Sequence, residues 1–265
     1  MAGPPPPVSP RPVAAESSRE VQAPRPHRPP VGPPAYPPTA LLGPLIADGK
    51  AAQSGVLVQG VKWQASGILE DAANMPGQVA YIERPLTIHL GGPTQCIDDK
   101  GRQRTEILSW PPSAPGETWS YTWKFHLHPD LPTSSKFFHL MQLFSREQKG
   151  WVVALGLVQN KVRISSQLPP LLGGSDGTTP VPLPEIGADR YWGRTTRHYM
   201  LVTYGPNGAV DYSISDAVTN ELLLRYCMQN VPVPAAGTIK TGLYRQHVCS
   251  PASAVVGDFD FRRTG

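Results

Sequence analysis

The chain has 265 residues, of which 17% are charged, 32 are proline and 25 are glycine, and its formal net charge is +4. No run of lysine and arginine stands out, which argues against a nucleic-acid-binding surface. No apolar stretch approaches the roughly 20 residues that a membrane-spanning helix needs. These properties exclude nucleic-acid and membrane proteins as leading interpretations, whereas the mild positive excess suits an anionic partner.

Residues 1–40 form a proline-rich segment that differs from the rest of the chain. Fourteen of the first 38 residues are proline, and this stretch contains no Ile, Leu, Phe or Trp. Because so little apolar area cannot offset the entropy of an ordered chain, we predict that the segment is disordered or samples polyproline II. Residues 41–265 are long enough to bury a core and are predicted to form the folded domain. The N-terminus shows no hydrophobic region of a secretory signal.

The composition of the proline-rich segment leads to a test by truncation. A chain that starts near Leu41 should keep the thermal midpoint and the activity of the full chain, because the removed residues cannot build a packed core. A thermal melt of both chains measures the difference. A marked loss of stability would show that the segment packs on the folded domain.

The three cysteines, Cys96, Cys227 and Cys249, do not have the spacing of a metal site. Neither a Cys-x-x-Cys pair nor a Cys/His cluster is present, so we expect no metal ion. Two states of the thiols are compatible with the sequence. Cys227 pairs with Cys249 in an oxidising compartment, or all three cysteines are reduced.

Beyond residue 40, apolar and polar residues alternate with period two. In residues 117–128, five large apolar side chains share one face and polar side chains share the other, which is typical of a half-buried antiparallel strand. The apolar set is Trp119, Tyr121, Trp123, Phe125 and Leu127. Further strands are predicted at 56–63, 78–82, 86–90, 104–108, 137–145, 221–226, 238–246 and 255–262.

Two hairpins are predicted from turn residues. Gln159-Asn160 joins the strands 151–158 and 161–166, and Gly-Pro-Asn-Gly at 205–208 joins 198–204 to 209–215. Because helical periodicity of useful length is missing, the many short strands predict an all-β sandwich or jelly roll of two antiparallel sheets. The long segment 166–188 holds five prolines and four glycines, and we expect it to be a lid or rim over a binding groove.

Polar side chains of types that bind ligands or catalyse reactions lie on three of the predicted strands. Arg104 and Glu106 are two residues apart and share a face, where they would hold an anionic group or form a surface ion pair. His139 and Gln142 are three residues apart, so a regular strand points them to opposite faces. Only a bulge would bring both to one side.

The third segment is Thr238-Ile-Lys-Thr-Gly-Leu-Tyr-Arg-Gln246. Lys240, Gly242 and Tyr244 share a face that is unusual for a core and suits the floor of a groove. A glycine there lets a polymer lie close to the backbone, and a phenol near a cation can transfer protons.

In this order, the three segments resemble the motifs of jelly-roll polysaccharide lyases of the alginate lyase, glucuronan lyase and heparin lyase I type. Arg104-Thr-Glu matches the Arg-Ser/Thr-Glu strand of that family, His139-Leu-Met-Gln the strand with its Gln, and Lys240-Thr-Gly-Leu-Tyr its Lys-x-Gly-x-Tyr strand. The resemblance spans roughly residues 50–263 and is greatest for the fungal glucuronan lyases. Two positions depart from the alginate branch: Phe144 replaces a His, and Leu108 replaces an Arg.

The resemblance implies β-elimination at a uronic acid of an anionic polysaccharide, without a cofactor or metal, by an extracellular monomer. In that reaction, Gln142 and Arg104 would screen the substrate carboxylate, and Tyr244 would protonate the leaving oxygen. The base would be His89, His139 or Tyr244, and His89, on the strand before that of Arg104, is our first choice. The other residues expected to bind substrate are Lys240, Glu106, His139 and Arg245.

A second function class fits the same residues. The two departures also suit a non-catalytic glycan-binding β-sandwich that has kept the groove and lost turnover. Binding of a glycan without formation of product would distinguish this alternative from a lyase. Two of the remaining histidines, His126 and His128, lie on the polar face of their strand and are predicted to be solvated.

Overall fold

The computed structural model of the chain describes residues 45–71, 81–91, 100–129, 131, 133–173, 178–248 and 250–265. These residues are almost entirely in strands and turns, as their alternating pattern predicts. The one helical element among them is a single 3₁₀ turn, Ala188–Arg190.

The strands of the described residues follow one another in chain order. They are β1 (Leu45–Asp48), β2 (Gln53–Val58), β3 (Val61–Ala65), β4 (Ile68–Asp71), β5 (Pro85–Leu90), β6 (Arg102–Ser109), β7 (Thr118–Leu127), β8 (Phe138–Ser145), β9 (Gly150–Val158), β10 (Lys161–Ser166), β11 (Leu172–Gly173), β12 (Thr179–Pro180), β13 (Glu185–Gly187), β14 (Thr195–Thr203), β15 (Gly205–Asp216), β16 (Leu222–Val233), β17 (Gly237–Gln246) and β18 (Ala252–Arg263).

Sixteen of these strands form two eight-stranded antiparallel sheets, which confirms the predicted β-jelly-roll sandwich. The first sheet has the order β1-β4-β5-β18-β7-β14-β15-β16, and the second has the order β13-β10-β9-β8-β17-β6-β3-β2. The last two strands of the sequence lie at the centres of the sheets. β17 is inserted between β8 and β6, and β18 is inserted between β5 and β7.

The core is one cluster of side chains contributed by both sheets. The apolar face predicted for β7 is buried in it, from Trp119 at 8% exposure to Phe125 and Leu127 at 0%. His198 of β14 is also fully buried there, and its ring nitrogens lie 2.8 Å from the hydroxyls of Tyr191 and Tyr212. Burial lowers the pKa of His198 to about 3, so the imidazole is a neutral part of the core.

Turn chemistry explains both hairpins and one incorrect boundary. Gln159 and Asn160 have φ of +53° and +59°, as expected for a two-residue hairpin turn. The second hairpin forms as well: Thr203 pairs with Ala209 across the predicted turn residues 205–208, of which Gly205 and Gly208 also pair with β16 as part of β15. The strand predicted at 56–63 is two strands, β2 and β3, because the chain turns at Gly60, whose φ is +82°. Most of the strand predicted at 78–82 lies outside the described residues.

The described part of the segment 166–188 packs at one edge of the sandwich. Its prolines and leucines line a cleft of about 370 Å³ together with Tyr226 and Met228 of β16. The Tyr226 hydroxyl donates a hydrogen bond to the Ser166 hydroxyl over 2.8 Å. The expected lid or rim is therefore a cover over β16, a strand of the first sheet.

The remaining features are the thiols, the helices and the metal-ligating side chains. Cys227 is exposed, and Cys96 and Cys249 lie outside the described residues, so the two predicted thiol states stay open. In the described ranges, no helix has the length and apolar character to cross a lipid bilayer. The same ranges contain no group of three or more metal-ligating side chains.

Candidate active site

The three polar segments lie on neighbouring strands of the second sheet, in the order β8-β17-β6. Tyr244 of β17 is in register with Arg104 on one side and with His139 on the other. Further along β17, Lys240 is in register with Gln142. Residues that are far apart in sequence thus meet on one side of the sheet, which we call the site face.

A strand irregularity brings both polar residues of β8 to the site face. The register of β8 shifts against β9 between His139 and Met141, and the register against β17 shifts at the same level. Leu140 and Met141 are both about 1% exposed, so two consecutive residues point into the core. This irregularity is the bulge that places both residues on one side of the strand. Because of it, His139 and Gln142 lie on the same face.

Tyr244 is the centre of a cluster of cations and rings. The Arg102 guanidinium donates a hydrogen bond to the Tyr244 hydroxyl over 2.7 Å, and the Arg104 guanidinium lies 4.8 Å from the ring centroid. The rings of His139 and Phe137 lie 5.9 and 5.2 Å from the Tyr244 ring. A phenol oxygen next to one guanidinium, with an imidazole close by, has the partners needed for proton transfer.

Glu106 is a buried carboxylate whose two oxygens each accept a side-chain amide. Gln142 donates to Oε1 and Gln64 of β3 donates to Oε2, both over 2.6 Å. The exposure of Glu106 is 2%. Because a buried carboxylate must be hydrogen-bonded, Glu106 holds the Gln142 amide in one orientation on the site face. Glu106 is thus a positioning residue for Gln142.

His139 is surrounded by aromatic rings and is largely shielded from water. Its ring lies 5.9 Å from the Trp151 ring, and its Nδ1 atom is buried without a hydrogen-bond partner. Burial lowers the pKa of His139 below its ordinary 6.5, although Glu106 and Gln142 oppose this shift. The imidazole is therefore neutral at neutral pH and is able to accept a proton.

Lys240 is a buried lysine placed against an aromatic ring. Its Nζ lies 3.8 Å from the centroid of the Phe144 ring, and the residue is 6% exposed. Burial lowers the pKa of Lys240; Glu106 acts to raise it, whereas Arg146 and Arg104 add to the lowering. Phe144, the residue that departs from the alginate-branch pattern, thus supports an ammonium group on the site face.

The backbone conformation and a close strand contact require glycine at position 242, between Lys240 and Tyr244. Its φ is +142°, and a Cβ atom at this position would be 2.2 Å from the Thr105 carbonyl oxygen. Only a residue without a side chain lets β17 approach β6 this closely. The close approach of β17 to β6 thus explains the glycine at position 242, whereas the sequence analysis attributed it to space for a polymer chain.

His89 is not brought to the site face. It belongs to β5 of the first sheet, where its neighbours Ile88 and Leu90 point into the core. Its Nδ1 lies 2.8 Å from the Ser253 hydroxyl and its Nε2 lies 3.3 Å from Glu70. The choice of His89, on the strand before that of Arg104, as the first candidate for the base is corrected, because the chain crosses to the other sheet between β5 and β6.

Arg245 is also absent from the site face, although its neighbour Tyr244 lies there. The side chain points to the core side, is 2% exposed, and donates from Nε to Gln103 over 3.0 Å. It also donates to the carbonyl oxygens of Val248 and Ser250. Burial lowers the pKa of Arg245 to about 10. The expected substrate contact of Arg245 is corrected to a structural role.

Several residues that the sequence argument did not single out lie beside the site. Arg102 and Gln64 bond directly to Tyr244 and Glu106. Arg102 shares the period-two face of Arg104 and is identifiable from spacing, whereas Gln64 depends on the pairing of β3 with β6.

His126, predicted to be solvated, lies 3.1 Å from the Thr195 hydroxyl, and burial lowers its pKa to about 4.

Comparison with known proteins gives a result at the level of the fold. No protein-family model matches the chain, and no curated protein matches its sequence. The solved structure of endo-β-1,4-glucuronan lyase from the fungus Trichoderma reesei is 12% identical and covers 81% of this chain and 95% of that chain, with a TM-score of 0.55. The fold is that of a jelly-roll polysaccharide lyase.

Two alginate lyases are further structural neighbours of this lyase fold. AlgAT5 of polysaccharide lyase family 7 is 11% identical over 68% of this chain and 78% of that chain, with a TM-score of 0.47. The alginate lyase from Corynebacterium sp. is 11% identical over 74% of this chain and 87% of that chain, with a TM-score of 0.46.

Proposed function

We propose that this chain cleaves a uronate-containing polysaccharide by β-elimination. The observation that carries the proposal is the convergence of Tyr244, His139, Gln142 and Arg104 on the site face, across three adjacent strands of a lyase fold. These residues offer what the reaction needs: a proton acceptor, a proton donor, and groups that screen a carboxylate.

Screening of the substrate carboxylate is the first requirement, because the proton α to an ionised carboxylate is only weakly acidic. In the proposal, Arg104 and Gln142 bind this carboxylate. A planar guanidinium can form two hydrogen bonds to a carboxylate, and the Gln142 amide is held in place by Glu106. Fixed donors stabilise the negative charge that develops when the proton leaves.

The proton is then accepted by His139, whose imidazole is kept neutral by burial. The C–H bond breaks, and its electron pair forms the carbon–carbon double bond of the unsaturated product. The bond from the next carbon to the glycosidic oxygen breaks at the same stage. His139 replaces His89 as the proposed base, because it lies beside Tyr244.

The leaving oxygen takes the phenolic proton of Tyr244. The resulting phenolate accepts a hydrogen bond from the Arg102 guanidinium, which lies 2.7 Å away and balances the charge. The proton on His139 returns to the phenolate or to solvent, and this completes the cycle. Each proton and each electron pair that moves in this reaction thus has a donor and an acceptor on the site face or in the substrate.

The substrate is proposed to be a polymer of glucuronan type, and secretion and a monomeric state stay predictions. Incubation of the protein with glucuronan, alginate and heparin-like polymers tests the activity through ultraviolet absorbance of the unsaturated product. The absence of absorbance on all three polymers would overturn the proposal. Glycan binding measured by calorimetry, together with no rise in ultraviolet absorbance, would favour the non-catalytic alternative.

The pH dependence tests His139 as the base. Because burial lowers its pKa, kcat/KM should stay high down to below pH 6.5 and fall only as His139 is protonated at lower pH. His139→Gln should reduce the rate by a factor of about 10²–10⁴ and remove this acidic limb. The matched control is His89→Gln, on the other sheet, which should keep a near-normal rate. A damaging His89→Gln would contradict the assignment.

A further inference from the structure

Three polar side chains form a chain of contacts on the first sheet, which the proposed lyase reaction does not use. They are Glu70 of β4, His89 of β5 and Ser253 of β18, and these strands are neighbours in the order β4-β5-β18. His89 is in register with Ser253, and Glu70 is in register with Thr87, two residues before His89. We call these three residues the outer triad.

Alternation along the strands directs the outer triad away from the core. The residues next to its members belong to the core cluster; they are Leu69, Ile88, Leu90, Ala252 and Ala254. Because successive side chains of a strand point to opposite faces, the outer triad lies on the outer face of the first sheet. The core therefore separates it from the site face, which belongs to the second sheet.

The outer triad is open to solvent at the serine and the histidine and closed at the carboxylate. Ser253 and His89 are half-buried, whereas the Glu70 side chain is 2% exposed. A carboxylate so shielded from water needs polar partners, and His89 Nε2 lies 3.3 Å from its Oε1. On the other side of the ring, the Ser253 hydroxyl lies 2.8 Å from His89 Nδ1.

The carboxylate determines which ring nitrogen of His89 carries the proton. An ionised carboxylate only accepts hydrogen bonds, so the neutral imidazole holds its proton on Nε2, next to Glu70. Nδ1 then presents its lone pair to Ser253, and the hydroxyl donates a hydrogen bond to it. A serine beside a base, with a third group that orients the base, is the arrangement that activates a nucleophile.

We propose that Ser253 is a nucleophile that takes the acyl group of a carboxylic ester, with His89 as its base and Glu70 as a positioning residue. The partial burial of Ser253 suits a small acyl group such as acetyl. This activity is additional to the proposed lyase reaction and does not rest on it, because it uses other residues on the other sheet.

The reaction has two steps, and His89 carries the proton in both. Ser253 Oγ bonds to the carbonyl carbon while its proton passes to His89 Nδ1; the ester carbon–oxygen bond then breaks, and the alcohol leaves with that proton. In the second step, the oxygen of water bonds to the acyl carbon and its proton passes to Nδ1. The bond to Oγ breaks, Ser253 recovers the proton, and the carboxylic acid is released. Glu70 balances the charge of the imidazolium in each step.

The first test is covalent labelling of the full chain with a fluorophosphonate, which bonds to activated serines. Site-resolved mass spectrometry should find Ser253 labelled at least about 10²-fold faster than Ser213, a half-buried serine of β15 in the same sheet. His89→Gln should slow the labelling of Ser253 by a factor of about 10²–10⁴, the range of general base catalysis. An unlabelled Ser253, or an unchanged rate in His89→Gln, would overturn the proposal.

Hydrolysis of 4-nitrophenyl acetate distinguishes a serine nucleophile from a histidine nucleophile. Acid quenching during turnover should trap an acetyl group on Ser253, and Ser253→Ala should reduce the rate to that of the buffer. Ser213→Ala is the matched control and should keep the full rate. If Ser253→Ala retains a hydrolysis that His89→Gln removes, the imidazole itself attacks the ester and the proposal is wrong.

Glu70 acts through His89, so its test separates positioning from folding. Glu70→Gln should lower the labelling rate of Ser253 at saturating fluorophosphonate by at least about tenfold and leave the half-saturating concentration unchanged. An unchanged maximal rate would remove Glu70 from the mechanism. If Glu70→Gln fails to fold in a thermal melt, Ser253→Ala and His89→Gln, both at half-buried positions, decide the proposal.

Discussion

Tyr244→Phe should lower kcat by a factor of at least about 10²–10⁴, the range attributed to general acid–base catalysis, with fold and substrate affinity nearly unchanged. The substitution removes one hydroxyl, which accepts a hydrogen bond from Arg102 and is the proposed donor to the leaving oxygen. The ring keeps its contacts with Arg104, His139 and Phe137. Because little volume changes, we expect stability to move by less than about 1 kcal/mol.

A second tyrosine serves as the control for this substitution. Tyr199 lies on β14 of the first sheet and is 39% exposed, so Tyr199→Phe removes a hydroxyl far from the site face. Its kcat should equal that of the unmodified chain. Product formation is followed by ultraviolet absorbance, and affinity by calorimetry. A near-normal rate for Tyr244→Phe would show that the phenol is structural and would overturn the proposed mechanism.

Gly242→Ala should destabilise the fold by about 3 kcal/mol or more, since it adds two penalties at one position. The backbone has φ of +142°, which residues with a side chain rarely adopt, and the new Cβ atom would lie 2.2 Å from the Thr105 carbonyl oxygen. Relief would require β17 to move away from β6, which also carries Arg104. Urea denaturation measures the change in the free energy of unfolding.

Gly101→Ala is a control that separates the backbone strain from the steric clash, because Gly101 lies in open space. Gly101 has φ of +75°, and no heavy atom lies within 4 Å of a Cβ built on it. Gly101→Ala should therefore cost only the conformational strain, about 1–2 kcal/mol. An equal loss of stability in both variants would show that the contact between β17 and β6 is not the cause.

The alternation of apolar and polar residues predicts a strand well where one face of the strand is buried and the other is polar. β7 is the clearest example, since its large apolar residues all lie in the core. A turn inside a predicted strand is less visible: Gly60 divides the strand predicted at 56–63 into β2 and β3, and apolar residues lie on both sides of the turn. The pairing of strands depends on contacts between distant residues, which local patterns do not contain.

The order of the motifs along the chain indicates the residues of the site but not all of their positions. Arg104, Gln142 and Tyr244 meet because β8, β17 and β6 are neighbours in the sheet. His89 lies away from the site because β5 and β6, although consecutive in the chain, belong to different sheets. The position of Arg245 follows from alternation alone, which pairs it with Leu243 on the core side.

The bulge in β8 and the partner of Glu106 show what sequence spacing leaves open. A separation of three residues between His139 and Gln142 is compatible with one face or with two, and only the register shift decides. Glu106 was expected to pair with Arg104, but its oxygens accept amides from Gln64 and Gln142. Several donors surround this carboxylate, and the pairing of the strands determines which of them it accepts hydrogen bonds from.

The central positions of β17 and β18 have a consequence for how the protein is made. While the chain emerges from the ribosome, β6 and β8 are present long before β17, and β5 and β7 long before β18. Each pair then faces a gap one strand wide, with unsatisfied backbone groups on both sides. Two half-open sheets of this kind readily capture strands of other nascent chains. Synthesis of β17 and β18 closes both gaps and pairs these open edges within the chain.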